Sequence, residues 1–205
     1  TQTLTNAQWG SLGAYKDIHL LLLMHGIETN PGPIETKHIM IGHVNINSVT
    51  SDNKITELEQ FITTNDIKIL ALTETKLDNS VAESQYTIDD FHQPLTKHRT
   101  RHGGGVALYV HKSLPIQRLS NIETGDEEWV WVKISTRRFT LIVSSIYIPP
   151  NLPTDRKESF LDNLTETLCR AQTHAPTAII LMGDFNTGNI YLNDPTSQHS
   201  GVTAF

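Results

Sequence analysis

Cysteine is almost absent from the 205 residues, with Cys169 the single example. No internal disulfide and no cysteine-built zinc site can form. Cys169 falls in a helical pattern and reads as an ordinary half-buried residue. Long apolar runs are missing too. The longest, Leu20 to Met24, is far shorter than the roughly 18 residues that span a membrane. No basic segment precedes it and no small-residue cleavage site follows, so it makes a poor signal peptide. Positive charge is not in excess, since the net charge is −6 with histidines neutral. That excludes nucleic-acid binding by bulk charge and leaves a local basic patch as the electrostatic route. No internal repeat or low-complexity tract stands out.

What is present is 38% hydrophobic and 19% charged residues, the balance of a soluble globular domain. Two parts differ in character. Residues 1–37 hold a polar lead, the run Leu20-Leu21-Leu22-Leu23 and the turn-rich Asn30-Pro31-Gly32-Pro33. Residues 38–205 alternate strands and helices. The chain opens on Thr1 and stops at Phe205 without a closing element, and the expectation is that it continues beyond both ends.

Apolar, β-branched runs predict strands over 38–46, 67–72, 104–111, 139–148 and 178–182. Glu128 to Ile134 alternates Trp129, Trp131 and Lys133 against Val130, Val132 and Ile134. The two tryptophans therefore share one sheet face as packing residues. Helical spacing marks 51–65 through Ile55, Leu58, Phe61 and Ile62, with Ser51 or Asp52 as cap. It also marks 155–173 through Phe160, Leu161, Leu164 and Leu168, with Thr154 or Asp155 as cap. Strands alternate with helices at first and then follow one another as hairpins do. The mixture predicts an α/β sandwich with mixed sheets.

The stretch Ile179-Ile180-Leu181-Met182-Gly183-Asp184-Phe185-Asn186 carries the most chemistry. Four apolar residues form a strand, Gly183 allows a tight turn, and alternation puts Asp184 and Asn186 on one face. A carboxylate and an amide there suit a hard cation, or a phosphate held through one. Asp and Asn also end strands in plain turns, and this stretch alone fits both readings. Other strand ends repeat the theme: Asn45 and Asn47, Glu74, and Tyr147. If these ends converge, Mg²⁺ could bind through one or two carboxylates and polarise a phosphoryl oxygen. The phenol or the amides could then bond the phosphate oxygens.

The ordered series Val44-Asn45-Ile46-Asn47, Thr73-Glu74-Thr75-Lys76, Ser145-Ile146-Tyr147-Ile148-Pro149 and Gly183-Asp184-Phe185-Asn186 resembles the endonuclease/exonuclease/phosphatase superfamily. More narrowly it resembles the abasic-site-like endonuclease domain of non-LTR retrotransposons. The run Arg101-His102-Gly103-Gly104-Gly105-Val106-Ala107-Leu108-Tyr109-Val110 is similar to a segment of those elements. The resemblance covers about residues 38–190 and is specific as a set. It implies a four-layer α/β sandwich, two mixed sheets flanked by helices, and Mg²⁺- or Mn²⁺-dependent phosphodiester hydrolysis. It implies Asn45 and Glu74 as metal-side residues and Tyr147 as the phosphate-contacting phenol. Asp184 would orient or activate water, with Asn186 as the neighbouring amide. Asn47 matches the family less well. The family's last elements, an aspartate and a Ser-Asp-His-type motif, have no counterpart in this sequence, and no histidine here has that context. The fold is therefore expected to be incomplete at its C-terminal end.

The resemblance also implies a DNA target, nicked to supply a 3′ hydroxyl for reverse transcription. A reverse transcriptase would lie on the full-length protein, and the nucleus would be the place of action. Lys97, His98, Arg99, Arg101 and His102 cluster before the glycine run, and Arg137-Arg138 form a second pair. Lys97, Arg99 and Arg101 are the candidate DNA contacts. Two other outcomes stay open: an inactive truncated remnant, and a superfamily phosphatase or phosphodiesterase acting on a small molecule or lipid headgroup.

In the leader, Gly26-Ile27-Glu28-Thr29-Asn30-Pro31-Gly32-Pro33 behind the leucine run resembles the 2A-type ribosome-skipping peptides. There the bond that fails to form would be Gly32–Pro33. Pro31 and Pro33 restrict the backbone around Gly32. Gly26 departs from the aspartate most frequent in that family. The same four residues also make a plain linking turn.

Overall fold

The structure is a computed structural model that describes residues 39–186 apart from Asp52 and Thr124. The skipping-type peptide with Gly32 and Pro33, His38, and residues 187–205 lie outside the described residues. Two four-stranded sheets face each other. The first holds β1 (Met40–Asn45), β2 (Ile67–Thr73), β4 (Val106–Val110) and β3 (Leu95–Lys97), in that spatial order. The second runs β5 (Ile116–Arg118), β6 (Glu128–Ser135), β7 (Thr140–Tyr147) and β8 (Ala178–Asp184). β1 and β2 are parallel, as are β7 and β8, and the remaining pairs are antiparallel. Mixed sheets were the sequence expectation, and they are what forms.

Alternation along each strand sorts the core into three bodies. Between the sheets lie Ile69, Ala71, Val106, Leu108, Val130, Val132, Val143 and Met182. Outside the first sheet, Leu70, Leu72 and Tyr109 pack against Leu58 and Ile62 of α1 (Lys54–Thr64). Outside the second, Trp129, Trp131 and Ile142 pack against Phe160, Leu164 and Ala171 of α2 (Thr154–Gln172). The result is a four-layer sandwich of helix, sheet, sheet and helix. Trp129 and Trp131 share the helix-facing side, both almost wholly buried. Among the described residues, no helix is long and apolar enough to cross a membrane.

The helix starts differ from the sequence expectation. Among the described residues, neither N-cap makes a side-chain capping bond, and Asp52 lies outside them. Asn53 occupies the N-cap of α1, where Ser51 contributes only its carbonyl, to the Lys54 N–H. Pro153 occupies the N-cap of α2 with extended backbone, and its carbonyl accepts the Lys157 N–H at 2.9 Å. Thr154 and Asp155 thus sit inside the first turn, where Asp155 favours the positive end of the helix dipole. Cys169 is exposed on the solvent side of α2, not half-buried.

Gly183 is also corrected. It does not turn the chain; it lies within β8, directly opposite Ile146 of β7. Its φ is +150°, and a Cβ there would fall inside the Ile146 carbonyl. The glycine is needed so that two parallel strands can approach ahead of Asp184. Gly42 differs: a Cβ there would meet only the Cδ1 atoms of Ile67 and Leu70, each at 3.3 Å. Gly183→Ala is therefore expected to destabilise by about 3 kcal/mol or more, against about 1 kcal/mol for Gly42→Ala. Urea unfolding of the two variants would check the difference, and equal midpoints would refute it.

Candidate active site

Strand register builds the site. In the first sheet the pairings align Asn45, Thr73, Val106 and Lys97 in one row at the sheet's end. In the second they align Glu128, Tyr147 and Asp184. Alternation turns these side chains toward the space between the sheets, since Val130, Val143 and Met182 share their parity. The two rows meet across the gap. The Asn45 amide donates from Nδ2 to Asp184 Oδ2 at 3.2 Å. The Tyr147 hydroxyl donates to Glu74 Oε1. Two residues before Tyr147 on β7, Ser145 Oγ donates to the Leu72 carbonyl at 3.1 Å.

Glu74 sits one residue beyond β2 with φ +56°, a left-handed conformation that a glutamate seldom adopts. Leaving the strand there, the carboxylate reaches across to the second sheet. Its Oε2 accepts the Gly104 N–H at 3.1 Å. Asp184 is held from two sides. Besides the Asn45 amide, its Oδ1 accepts the Asn186 backbone N–H at 3.2 Å. The Asn186 side chain is spent differently from a free site amide. Its Nδ2 donates to the Ile148 carbonyl at 2.7 Å, tying the exits of β7 and β8 together.

Asn45, Glu74, Tyr147 and Asp184 are thus brought together, with Asn186 behind Asp184. Asn47 is not. Alternation would have put it beside Asn45, but β1 stops at Asn45 and Asn47 takes φ +47°. It is exposed, and its Oδ1 accepts the Lys76 ammonium at 2.6 Å. Of the basic residues, Lys97 ends the first row and Arg99 stands beside Glu128, so both border the site. Arg99 Nη1 pairs with Glu128 Oε1 at 2.9 Å. Arg101 donates to Asp78 at 2.7 Å and to Ser80, which holds the loop before the glycine run. The Ser80 hydroxyl and N–H also bond Asp78 and keep its carboxyl below the ordinary range. Arg137 and Arg138 belong to the β6–β7 turn, at the opposite end of the second sheet. The length of β6, eight residues or about 25 Å, lies between them and the end that carries Glu128. They are not part of this site.

Glu128 was not singled out by the sequence. It is buried, and Oε2 accepts the Gly105 N–H at 2.5 Å. Burial pushes its carboxyl up, the Gly105 N–H and Arg99 oppose that, and the nearby Glu74 adds to it. A cleft of about 220 Å³ opens beside it, lined by Lys97, Arg99 and Arg156 with Tyr147, Pro149 and Phe160.

Residues 42–204 match the endonuclease/exonuclease/phosphatase family. The chain belongs to that family. No curated protein matches it. Among solved structures, it is similar to the endonuclease domain of TRAS1, a telomere-specific non-LTR retrotransposon. That alignment covers 73% of this chain and 59% of the other at 19% identity, with a TM-score of 0.53. The AP endonuclease LMAP from Leishmania major aligns over 89% of this chain and 66% of its own, at 15% identity and TM-score 0.60. The 3′ phosphatase NExo from Neisseria, bound to a product DNA hairpin, aligns over 73% and 58%, at 18% identity and TM-score 0.53. At these identities the likeness is one of fold. The chain spans 58% to 66% of the length of these structures.

Tyr147 is a proton donor, not a phenolate. Burial and the neighbouring Glu74 carboxylate push its phenol well above the ordinary range. The sign follows: this group favours the folded state below the ordinary phenol range, and that contribution is lost only as pH climbs through the raised value. Between about pH 9 and 11, where ordinary phenols titrate, Tyr147→Phe is expected to leave the 295 nm absorbance rise of the folded protein unchanged. A smaller rise in the variant would show that Tyr147 ionises there.

Proposed function

We propose that this chain carries the divalent-metal phosphodiesterase site of a DNA-nicking enzyme of the non-LTR retrotransposon kind. The observation that carries the reading is the meeting of two strand rows, with Asn45 on Asp184 and Glu74 on Tyr147. A row of oxygen donors with two carboxylates is the set a hard cation takes when it keeps several waters for a phosphate. Each oxygen of Glu74 and Asp184 accepts one hydrogen bond and keeps a lone pair. Among the described residues, no three of His, Cys, Asp and Glu come together as a closed metal cage. The donors therefore fit Mg²⁺ or Mn²⁺ better than a structural zinc.

Glu74 and Asn45 would hold the ion, which when bound supplies Lewis-acid polarisation of a phosphoryl oxygen and support for the leaving oxygen. Asp184, fixed by Asn45 and by the Asn186 N–H, would orient an attacking water and take its proton. Tyr147 would turn its hydroxyl from Glu74 to a phosphate oxygen. Lys97 and Arg99 would meet the DNA backbone at the edge of the site, and their contacts would weaken with salt. TRAS1 is a retrotransposon endonuclease domain, and NExo was captured with product DNA. Both favour DNA over a small-molecule phosphate ester. On the same reading a reverse transcriptase belongs to the full-length protein, and the leader works by ribosome skipping at Gly32–Pro33.

For the full-length protein with supercoiled plasmid and Mg²⁺, the expected product is the open circle, abolished by EDTA. Asp184→Ala and Glu74→Ala are expected to lower the rate by a hundredfold or more, on the order of a lost acid–base or electrostatic group. Nicking that survives both substitutions would sink the proposal. Hydrolysis of an inositol phosphate, with plasmid left intact, would move the chain to the small-molecule phosphatases of the family.

A further inference from the structure

We propose that Glu128 is a positioning residue, setting the Glu74 carboxylate through a strap made of Gly104 and Gly105. The inference rests on the phosphodiesterase reading above, which uses Glu74 but not Glu128. Two adjacent backbone N–H groups hold two different carboxylates. Gly105 donates to Glu128 Oε2 at 2.5 Å, and Gly104 donates to Glu74 Oε2 at 3.1 Å. The strap's carbonyls are engaged as well. Gly105 O accepts the Thr75 N–H at 3.2 Å, and Gly104 O accepts the Lys76 N–H at 3.0 Å. The chain leaving β2 is thus bound to the strap at the Glu74 carboxylate and at the two residues that follow it.

The strap requires glycine. Both residues have positive φ, +74° and +83°. A Cβ on Gly104 would collide with Glu128 Oε2 and lie 2.6 Å from Arg99 Cδ. A Cβ on Gly105 would lie 2.6 Å from Thr75 Oγ1. The space a side chain would fill is taken by the groups that the strap joins. Glu128 is itself fixed. Arg99 holds its second oxygen, and its backbone pairs with Tyr147, whose hydroxyl is the other donor to Glu74. Both bonds that aim Glu74 therefore trace back to the neighbourhood of Glu128.

A buried carboxylate next to Glu74 is an expensive packing choice, because the like charge adds to the burial penalty. What the strap needs from residue 128 is a hydrogen-bond acceptor at the right reach. Glutamine keeps that reach and loses the charge. Aspartate keeps the charge and falls one methylene short. The pair separates positioning from bulk electrostatics.

The experiment compares the full-length protein with its Glu128→Ala, Glu128→Gln and Glu128→Asp variants in plasmid nicking across a Mg²⁺ titration. It adds ¹H–¹⁵N spectra that resolve the Gly104 and Gly105 amides without substrate. Glu128→Ala is expected to lower kcat by about tenfold to a hundredfold, the usual loss when a support behind a metal ligand is removed. It should raise the half-saturating Mg²⁺ by a similar factor and leave KM for plasmid within about twofold. Glu128→Gln should recover most of the rate and Glu128→Asp should not. The Gly104 amide, shifted downfield by its carboxylate partner, should move in the Ala and Asp variants. Should Glu128→Ala fail to fold, the Gln and Asp variants carry the comparison. Recovery by Asp and not by Gln, or a Gly104 amide unmoved in Ala and Asp, would overturn the proposal. An inactive parent protein whose Gly104 amide still moves would overturn the nuclease reading and support the strap.

Discussion

Three of the hydrogen bonds between the two halves of the sandwich decide where everything else in the site can be. The core between the sheets is aliphatic, and aliphatic burial is non-directional. It holds the sheets together without fixing how far one is slid along the other. Ser145 to the Leu72 carbonyl, Asn45 to Asp184 and Tyr147 to Glu74 supply that position, all at one end. A slip of one residue, about 3.3 Å, would part all three pairs at once. The same slip would take Asp184 away from Asn45 and Glu74 away from Tyr147. Alignment of the layers and assembly of the site are one constraint in this fold.

That constraint explains which residues the sequence disclosed. Asn45, Glu74, Tyr147 and Asp184 each follow an apolar run, so a reader looking for polar residues where strands stop finds them. Glu128 stands in the same row but comes where a strand begins, so no apolar run leads up to it. β6 is antiparallel to β7, so its first residue lies opposite the last residue of β7. Strand direction is a property of topology, and local sequence does not carry it. The acid before Trp129-Val130-Trp131-Val132 was the available signal, since its parity with Val130 and Val132 puts it on the inner face. Alternation failed in the other direction at Asn47 and Asn186. It was extended past the last strand residue, where both enter left-handed turns instead. The three-residue strands β3 and β5 were invisible for a simpler reason: so short a run has no period to read. The long elements and the shared face of the two tryptophans were legible, because burial on a known period leaves little choice.

Charge follows a similar logic. A chain with net charge −6 has no general attraction for a polyanion. Its pairings place cations where they matter locally. Lys97 is aligned with Val106 and Thr73 and so with Asn45, and Arg99 is drawn in by Glu128. The price is that Arg99 already has a carboxylate partner, as Arg101 has in Asp78. Both arginines are open to solvent, and the Arg101 pair is a surface pair of little worth that exchanges readily. The two pairs differ on the acid side: Asp78 is partly exposed, whereas Glu128 is buried, so on the proposed reading a phosphate at the edge would draw Arg101 from its partner more easily than Arg99. Arg137 and Arg138, on the far turn, cannot join them.

Backbone strain gathers at the same edge. Asn47, Ser48, Glu74, Lys76 and Asn186 all have positive φ without being glycine. Each such residue costs on the order of 1 kcal/mol, and they lie just beyond the ends of β1, β2 and β8. Strain of this size persists only where surrounding bonds overdetermine the conformation. Around Glu74 they do. Ser48 N–H bonds the Glu74 carbonyl at 2.7 Å, and the N–H groups of Thr75 and Lys76 bond the glycine strap. A regular strand continuation at Glu74 would relieve the strain, but its own side chain would then alternate away from the second sheet. The left-handed turn is what lets a residue of the first sheet deliver its carboxylate to Tyr147 in the second. The strap that aims this carboxylate therefore also holds the turn that presents it, and the two roles cannot be separated by relaxing either one alone.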